Sequence, residues 1–465
     1  MWTLLAIFFL QFADKAGSDE VCLSPTAIEM REERGIAIDS LDYAVSPMYL
    51  DSVKHLGVKV LHSSRWMNGA TVEANDETIE AIEQCSFVDT IYLTRLDDDS
   101  SASQSISLQK REARSATEAR SATEAMGQLG VLNLLALHQA GYKGQGIRIG
   151  VADGGFYHAD SLACLPRGQW LGYADLTDDR DDFFGRTGSH GSLCLTSIVA
   201  QTDDYEGAAS QAEYFLFRTE EQYTESPKEI DNWVAAIEMA DSLGLHIVST
   251  SLGYTTFDDE QLDWTYADMD GRSTRGAQAA VIAARKGLLL VTAMGNEGNK
   301  TWHYLSTPAD ADSILSVGAV NHDREIASFS SYGPTADGRV KPEVCAVGEG
   351  TSLINPANGE VTRSNGTSFA CPQIAGMAAC LWSALPHATN MEIREMIIRS
   401  CDRYDEPHEQ YGYGIPDAWK AYTEAKTGVD VPTQTRLNRK IIDHNGCMII
   451  LHDGEKYNVM GQKIK

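Results

Sequence analysis

The sequence predicts an α/β protein: a three-layer domain in which helices cover both faces of a mainly parallel sheet, preceded by a small α+β domain. Three observations support this prediction. Between residues 127 and 428, strand-like and helix-like segments alternate, which is typical of parallel strands joined by helices. Each strand-like segment there is a continuous apolar run, as expected for strands covered on both faces. The 465 residues also exceed the size of one ordinary domain.

The large domain contains four segments with the composition of buried strands: "IRIGVAD", "HIVSTSLG", "LLLVTAM" and "ILSVGAV". Three segments between them are predicted to be helices: "HGSLCLTSIVA", "EIDNWVAAIEMADS" and "RGAQAAVIAARK". Functional groups in such sheets lie beyond the carboxyl ends of the strands. We therefore expect the chemistry of this protein at that edge of the sheet.

The small N-terminal domain is predicted over residues 17–96. Helices are expected at 25–34, 47–56 and 77–84, and the strands are expected at "VKVLH", "GATVEA" and "FVDTIYL". The apolar run "MWTLLAIFFL" is too short to cross a membrane, so residues 1–16 are interpreted as a signal peptide. The alternative is that part of this run forms the first strand of the next domain.

Residues 97–126 are rich in Ser, Ala and charge, and the hexamer "EARSAT" occurs twice in tandem. Such a segment cannot bury a core, so we predict a solvated linker. Its arginines Arg111, Arg114 and Arg120 make it an easy target for proteolysis. A small folded domain, a cleavable linker and a large domain in this order indicate a zymogen.

The composition excludes several classes of partner. The formal charge of −28 repels polyanions and no basic stripe offsets it, so no nucleic-acid partner is expected. The nine cysteines include no CxxC pair, so neither a zinc ribbon nor a disulfide framework is indicated, and the pairing of individual cysteines stays open. No later segment is long and apolar enough for a transmembrane helix.

The segment "NGTSFACPQIAGMAACLW" carries the first chemical candidate, Ser368. Ser368 follows a Gly-Thr turn and begins an Ala-rich run predicted to be a buried helix. The N–H groups and positive end of a helix N-terminus suit the oxyanion of an acyl-transfer intermediate. The alternative is that Ser368 merely caps the helix. However, "GTSFACPQIAG" resembles the nucleophile motif of the subtilisin-like proteases (subtilases), and this resemblance implies that Ser368 is the nucleophile.

Two further motifs occur upstream in the order Asp, His, Ser. "GIRIGVADGGFYHAD" is a strand that ends in Asp153 and is followed by two glycines, and "GSHGSLCLTSIVA" places His190 at the start of a helix. They resemble the aspartate and histidine motifs of subtilases. The positions that depart from the commonest residues of these motifs are Ala152, Gly154, Leu195 and Thr196.

Other interpretations of these residues are weaker. Asp153 could be a plain turn residue or part of a dinucleotide fingerprint. The second alternative is weak, because Gly144, Gly146 and Gly150 lie before and within the strand instead of after it. His190 and Cys194 lie four apart on one helix face, as metal ligands can. No third and fourth ligand with suitable spacing is evident nearby, so no metal site is predicted.

The turn in "VTAMGNEGN" supplies Asn296, which the resemblance assigns to the oxyanion hole. "STSLGY" is similar to the subtilase strand that pairs with the substrate backbone, and this implies that Ser251, Leu252 and Gly253 line one side of the cleft. Calcium ions are common in subtilases, and the acidic segment "DLTDDRDDFFG" is the candidate for a structural site, although it shows no convincing ligand pattern. No cofactor is expected to be required.

The resemblance implies a secreted or cell-surface bacterial serine endopeptidase, made as a zymogen, that hydrolyses proteins or peptides through an acyl-enzyme. The N-terminal domain resembles a subtilase propeptide, which would act as an intramolecular inhibitor. One rival is a catalytically silent subtilase scaffold that binds proteins or glycans, supported only by the motif departures. An esterase or lipase is a second rival, but the chain lacks a GxSxG elbow and has the wrong residue order.

The tail, residues 429–465, alternates apolar and polar residues around Asp453-Gly454, which predicts a small β-hairpin. It is similar to the end of the C-terminal sorting segments of the type IX secretion route. Export by that route is therefore one expectation from the sequence.

Overall fold

The structure is a computed structural model that describes residues 5–96, 125–177, 182–185 and 188–427, together with strand residues 439–442, 448–452, 455–457 and 463–464. The linker predicted at 97–126 lies outside the described residues except for its last two positions. The chain divides into two compact units, residues 1–421 and 422–465. No helix in the described part combines the length and the apolar character that a membrane crossing requires.

The N-terminal domain is an antiparallel sheet with three helices, as predicted. Its four strands are β1 (Leu5–Phe12), β2 (Lys59–Ser64), β3 (Gly69–Asn75) and β4 (Val88–Leu96), in the order β2-β3-β1-β4. Its helices are α1 (Pro25–Glu33), α2 (Pro47–His55) and α3 (Asp76–Glu83). A side chain caps the N-terminus of each helix: Ser24, Ser46 and Asn75 respectively.

The interpretation of residues 1–16 as a signal peptide is wrong for the described part of that segment. β1 is an inner strand that pairs with β3 on one side and β4 on the other. Leu10 and Phe12 are buried in the core of the domain. A short apolar run suits both a signal sequence and a buried strand, and only the pairing partners distinguish them. The domain therefore includes Leu5–Phe12 and does not begin at residue 17.

The large domain is built on a seven-stranded parallel sheet in the order β11-β10-β9-β8-β5-β7-β6. The four predicted strands are confirmed as β5 (Arg148–Asp153), β8 (Ile247–Thr250), β9 (Leu289–Ala293) and β10 (Leu315–Val320). Three strands were not predicted: β6 (Trp170–Asp175), β7 (Glu213–Arg218) and β11 (Val344–Val347). β6 lies at the edge of the sheet and alternates exposed and half-buried residues, so it lacks the apolar run that identified the others.

Helices cover both faces of this sheet. The predicted helices are confirmed as α6 (His190–Val199), α7 (Lys228–Leu243) and α8 (Arg275–Arg285), and the helix after the Gly-Thr turn is α9 (Thr367–Ala384). Adjacent residues of β8 identify the two faces: Val248 packs in the core with α7 and α8, whereas Ser249 contacts Cys371 of α9. The remaining elements are α4 (Ala125–Val131), α5 (Leu134–Gln139), β12 (Thr351–Ile354), β13 (Val361–Ser364), α10 (Asn390–Arg399) and α11 (Ala418–Thr427).

The N-terminal domain packs on the outer face of α7 and α8. Asp241 of α7 accepts hydrogen bonds from two arginines of that domain: Arg31 at 2.7 and 2.8 Å and Arg65 at 2.7 Å. Lys286, at the end of α8, donates to Asp42 at 2.7 Å. All five side chains are at most 7% exposed. The two domains are thus joined by a buried network of ion pairs, referred to below as the interdomain network.

The second unit contains β14 (Arg439–Ile442), β15 (Met448–His452), β16 (Glu455–Tyr457) and β17 (Lys463–Ile464) in one antiparallel sheet. β15 and β16 pair from His452 and Glu455 onward, on either side of the predicted turn. The turn residues Asp453 and Gly454 themselves lie outside the described residues. The predicted hairpin is therefore part of a larger sheet.

Candidate active site

Asp153 and His190 form a close pair at the carboxyl edge of the sheet. Asp153 is the last residue of β5, and its side chain is fully buried. Its Oδ1 accepts from the backbone N–H of Gly154 at 2.8 Å. His190 Nδ1 lies 2.8 Å from Asp153 Oδ1 and 3.0 Å from Oδ2, although the two residues are 37 positions apart. The carboxylate therefore fixes the proton on Nδ1 and leaves Nε2 as the basic nitrogen.

The position of His190 depends on a close approach of two backbone segments. His190 is the first residue of α6, and the next residue, Gly191, donates its N–H to Gly155 O at 2.9 Å. A Cβ at Gly191 would lie 2.6 Å from Gly155 O and 2.8 Å from Asp153 Cβ. Only glycine allows the helix to start this close to β5.

The surroundings of His190 favour the protonated, charged form of its imidazole. Burial by itself lowers the pKa of His190, but the neighbouring Asp153 carboxylate and the Cys194 sulfur outweigh that effect and raise the pKa well above its usual value of 6.5. The imidazolium that forms when His190 takes a proton is therefore stabilised in place. Such stabilisation is what a general base next to a nucleophile requires.

Ser368 is the second residue of α9 and lines the same cleft as Asp153 and His190. Its hydroxyl donates to the backbone oxygen of Ser251 at 3.3 Å, and the Ser251 hydroxyl donates to Ser368 O at 2.8 Å. Cys194 contacts both His190 and Ser368, with its Sγ 3.9 Å from His190 Nδ1 and 3.4 Å from Ser368 O.

The side chain of Asn296 is held by Thr367, which was not among the residues predicted from the sequence. Its Oδ1 accepts from the backbone N–H of Thr367 at 2.9 Å and from the Thr367 hydroxyl at 3.0 Å. Because the oxygen end of the carboxamide is held, the N–H end is directed away from Thr367. Asn296 lines the cleft beside Ser368. Thr367 directly precedes Ser368 in the nucleophile motif, which was the available signal for its role.

The predicted substrate-contacting residues Ser251, Leu252 and Gly253 all line the cleft. β8 ends at Thr250, so these three residues continue from the strand without belonging to it. A Cβ at Gly253 would lie 2.1 Å from the Ser306 hydroxyl, which explains why glycine is needed there. Their pairing with a substrate backbone stays a prediction.

Among the described residues, two clusters could offer ligands to a metal ion: Asp153, His190 and Cys194, and the carboxylates Glu220, Glu225 and Glu229. The carboxylates already have protein partners: Tyr254 donates to Glu220, and backbone N–H groups donate to Glu229. The acidic segment predicted as a calcium candidate lies partly outside the described residues. A structural calcium ion stays a prediction. The eight described cysteines are free thiols, and Cys447 lies outside.

A parallel α/β sheet that presents an Asp–His pair and a helix-terminal serine at one cleft defines the class of the large domain as that of a serine hydrolase. A comparison with known sequences identifies the family within the serine hydrolases. A sequence model of the subtilase family (peptidase S8) matches residues 144–414, more than half of the chain, and the chain belongs to that family. A model of the peptidase S8 propeptide domain of Bacteroidota matches residues 8–110. The chain is thus a serine endopeptidase with a propeptide.

Individual relatives agree with this assignment. The chain is 29% identical over 293 residues to a thermostable alkaline protease of Halalkalibacterium halodurans, covering 62% of this chain and 71% of the relative. It is 24% identical over 327 residues to the subtilisin-like protease SBT6.1 of Arabidopsis thaliana, covering 67% of this chain but only 29% of that longer protein. The crystal structure of MycP1 from Mycobacterium smegmatis has the same fold, with a TM-score of 0.51 at 18% identity over 64% of this chain and 84% of MycP1.

Proposed function

We propose that this protein is a secreted endopeptidase that cleaves proteins or peptides with Asp153, His190 and Ser368 as its triad. The observation that carries the proposal is the bidentate contact of the buried Asp153 carboxylate with His190, in the cleft that Ser368 lines. Secretion is supported by the similarity to the minor extracellular protease Epr of Bacillus subtilis and is part of the proposal.

In the proposed mechanism, His190 Nε2 takes the hydroxyl proton of Ser368 as its Oγ attacks the peptide carbonyl. The tetrahedral oxyanion accepts hydrogen bonds from the Asn296 carboxamide and the Ser368 backbone N–H, which lies in the first turn of α9 and has no partner within the helix. His190 then protonates the leaving amine, and an acyl-enzyme remains. Water attacks the ester by the same route in reverse and restores the Ser368 hydroxyl.

The N-terminal domain is proposed to keep the enzyme inactive until the linker at 97–126 is cut. The interdomain network supports docking of the N-terminal domain in one defined position, because a buried charge that loses its partner is costly. N-terminal sequencing of active material should therefore find a new terminus between residues 97 and 126. Activity of uncut chains that still carry the N-terminal strand would contradict this step.

The enzyme assignment is tested by comparing peptide hydrolysis by the processed parent protein and by the processed Ser368→Ala variant. We expect turnover to fall by a factor on the order of 10⁶, because the nucleophile is lost. Ser383→Ala on the same helix is the control, since that hydroxyl only donates to Cys380 O. A fluorophosphonate probe should label the parent protein and not the Ser368→Ala variant. Absence of labelling in the processed parent would favour a silent binding scaffold.

A further inference from the structure

The side chain of Cys194 lies close to the Asp153–His190 pair, and the three side chains together form a cluster of potential metal ligands. Its Sγ, His190 Nδ1 and an oxygen of Asp153 all lie within 4.8 Å of one another. The spacing of His190 and Cys194 on α6 suggested two ligands, and the fold brings the third from β5, 37 residues away. No step of the mechanism proposed above transfers a proton or forms a bond at the Cys194 thiol, which only contributes to the raised pKa of His190.

We propose that these three residues bind Zn²⁺ and that the bound ion switches the peptidase off. Tetrahedral zinc with bonds of about 2.0 Å to nitrogen and oxygen and about 2.3 Å to sulfur requires ligand atoms roughly 3.3–3.5 Å apart. The measured separations are 3.9 Å between Cys194 Sγ and His190 Nδ1, and 2.8 and 3.0 Å between Nδ1 and the Asp153 oxygens. These two pairs need shifts of about half an ångström, and the Cys194 sulfur and the Asp153 oxygen, which lie within 4.8 Å of each other, need to approach by up to about 1.3 Å. Such shifts would convert the pair and the thiol into a three-ligand site, with water as the fourth ligand.

The chemistry of the ligands favours Zn²⁺ over the hard cations. A thiolate and an imidazole are ligands for zinc, whereas calcium and magnesium prefer oxygen. On binding, Cys194 loses its proton to solvent, and the charges of the carboxylate and the thiolate balance the two positive charges of the ion. This neutrality matters because Asp153 and Cys194 are fully buried.

Inhibition follows from the tautomer of His190. The ion occupies Nδ1, so the proton of the neutral imidazole moves to Nε2. An Nε2–H group can donate a hydrogen bond but cannot accept the Ser368 proton. The general base is thus blocked without any change at Ser368. This inhibitory consequence rests on the proposed function, whereas zinc binding itself does not.

Binding is tested by titrating Zn²⁺ into the full-length Ser368→Ala chain by isothermal calorimetry, which avoids self-cleavage. We expect one site, lost on adding Cys194→Ala. Loss of an outer-shell partner of a metal ligand lowers metal affinity by roughly 10–100-fold. Removing Cys194, which is a direct ligand, should lower the affinity for Zn²⁺ by at least as much. Cys380→Ala is the matched control: its sulfur lies 3.8 Å from His138 Nε2, but the Glu206 carboxylate lies on the other ring nitrogen. An unchanged isotherm in the Cys194→Ala variant would overturn the site.

Inhibition is tested with the processed enzyme, with each variant compared to its own rate in the absence of zinc. We expect micromolar Zn²⁺ to inhibit the parent and the Cys380→Ala variant by about tenfold or more, and the Cys194→Ala variant by less than about twofold. A chelator should restore activity. Equal inhibition of parent and Cys194→Ala would refute the switch. A protein that binds zinc through Cys194 but hydrolyses no peptide would instead refute the proposed function alone.

Discussion

Replacing Asp241 with asparagine should loosen the hold of the N-terminal domain on the enzyme. Asp241 is the shared partner of Arg31 and Arg65, with three N–O distances of 2.7–2.8 Å. Removing one member of a buried ion pair costs about 3–5 kcal/mol, because a charge is left buried without its partner. Each arginine keeps a second carboxylate, Asp42 at 3.1 Å for Arg31 and Glu238 at 3.7 Å for Arg65. We therefore expect the lower end of this range, a loss of about 3 kcal/mol in the free energy of binding between the two domains. This loss raises Kd by roughly 100-fold.

The assay uses the inactive Ser368→Ala chain, cut at the arginines of the linker by limited trypsin treatment. The two domains then form a non-covalent complex, and its Kd is measured by gel filtration over a dilution series. Arg324→Ala is the control, because its 2.9 Å pair with Asp402 is 40–46% exposed and contributes at most about 1 kcal/mol. An Asp241→Asn complex as tight as the parent complex would refute the reasoning that the buried charges determine the affinity.

Two further predictions concern catalysis. Asn296→Ala should lower kcat by about 10²–10³-fold with little change in KM, because the carboxamide binds only the oxyanion; a loss seen mainly in KM would contradict that role. The pH profile of kcat/KM should fall on the acid side with a pKa above 6.5, since only neutral His190 can accept a proton and Asp153 stabilises its charged form. Asp153→Asn should move that limb to lower pH and reduce the rate about 10⁴-fold, and an unmoved limb would assign the titration to another group.

The interdomain network was beyond the reach of sequence reasoning. Asp241, the carboxylate that Arg31 and Arg65 share, lies 210 and 176 residues away from them in the sequence. A charged side chain in an amphipathic segment usually faces solvent, so nothing in the local pattern marks it as buried. Only the docking of the sheet on α7 and α8 brings these charges together. The same holds for β1, whose apolar run was compatible with a signal sequence until its neighbours were known.

The local pattern of residues determined much of the rest. Continuous apolar runs identified four of the seven strands of the large sheet. The motifs that resemble those of subtilases predicted Asp153, His190, Asn296 and Ser368 as the chemical residues, and all four line one cleft. A buried parallel strand needs apolar side chains on both faces, so it can be recognised from its own sequence. The edge strand β6 meets solvent, alternates accordingly and was missed.

The tertiary structure alone decided the strand order, the burial of the interdomain charges and the approach of Cys194 to the Asp153–His190 pair. The type and period of side chains depend on a few neighbouring residues, and the sequence states them directly. Strand pairing and ion pairs depend on which distant segments pack against each other, because burial stabilises both segments only when they are in contact. The free energy of burial belongs to the contact between two segments, so neither segment encodes it by itself.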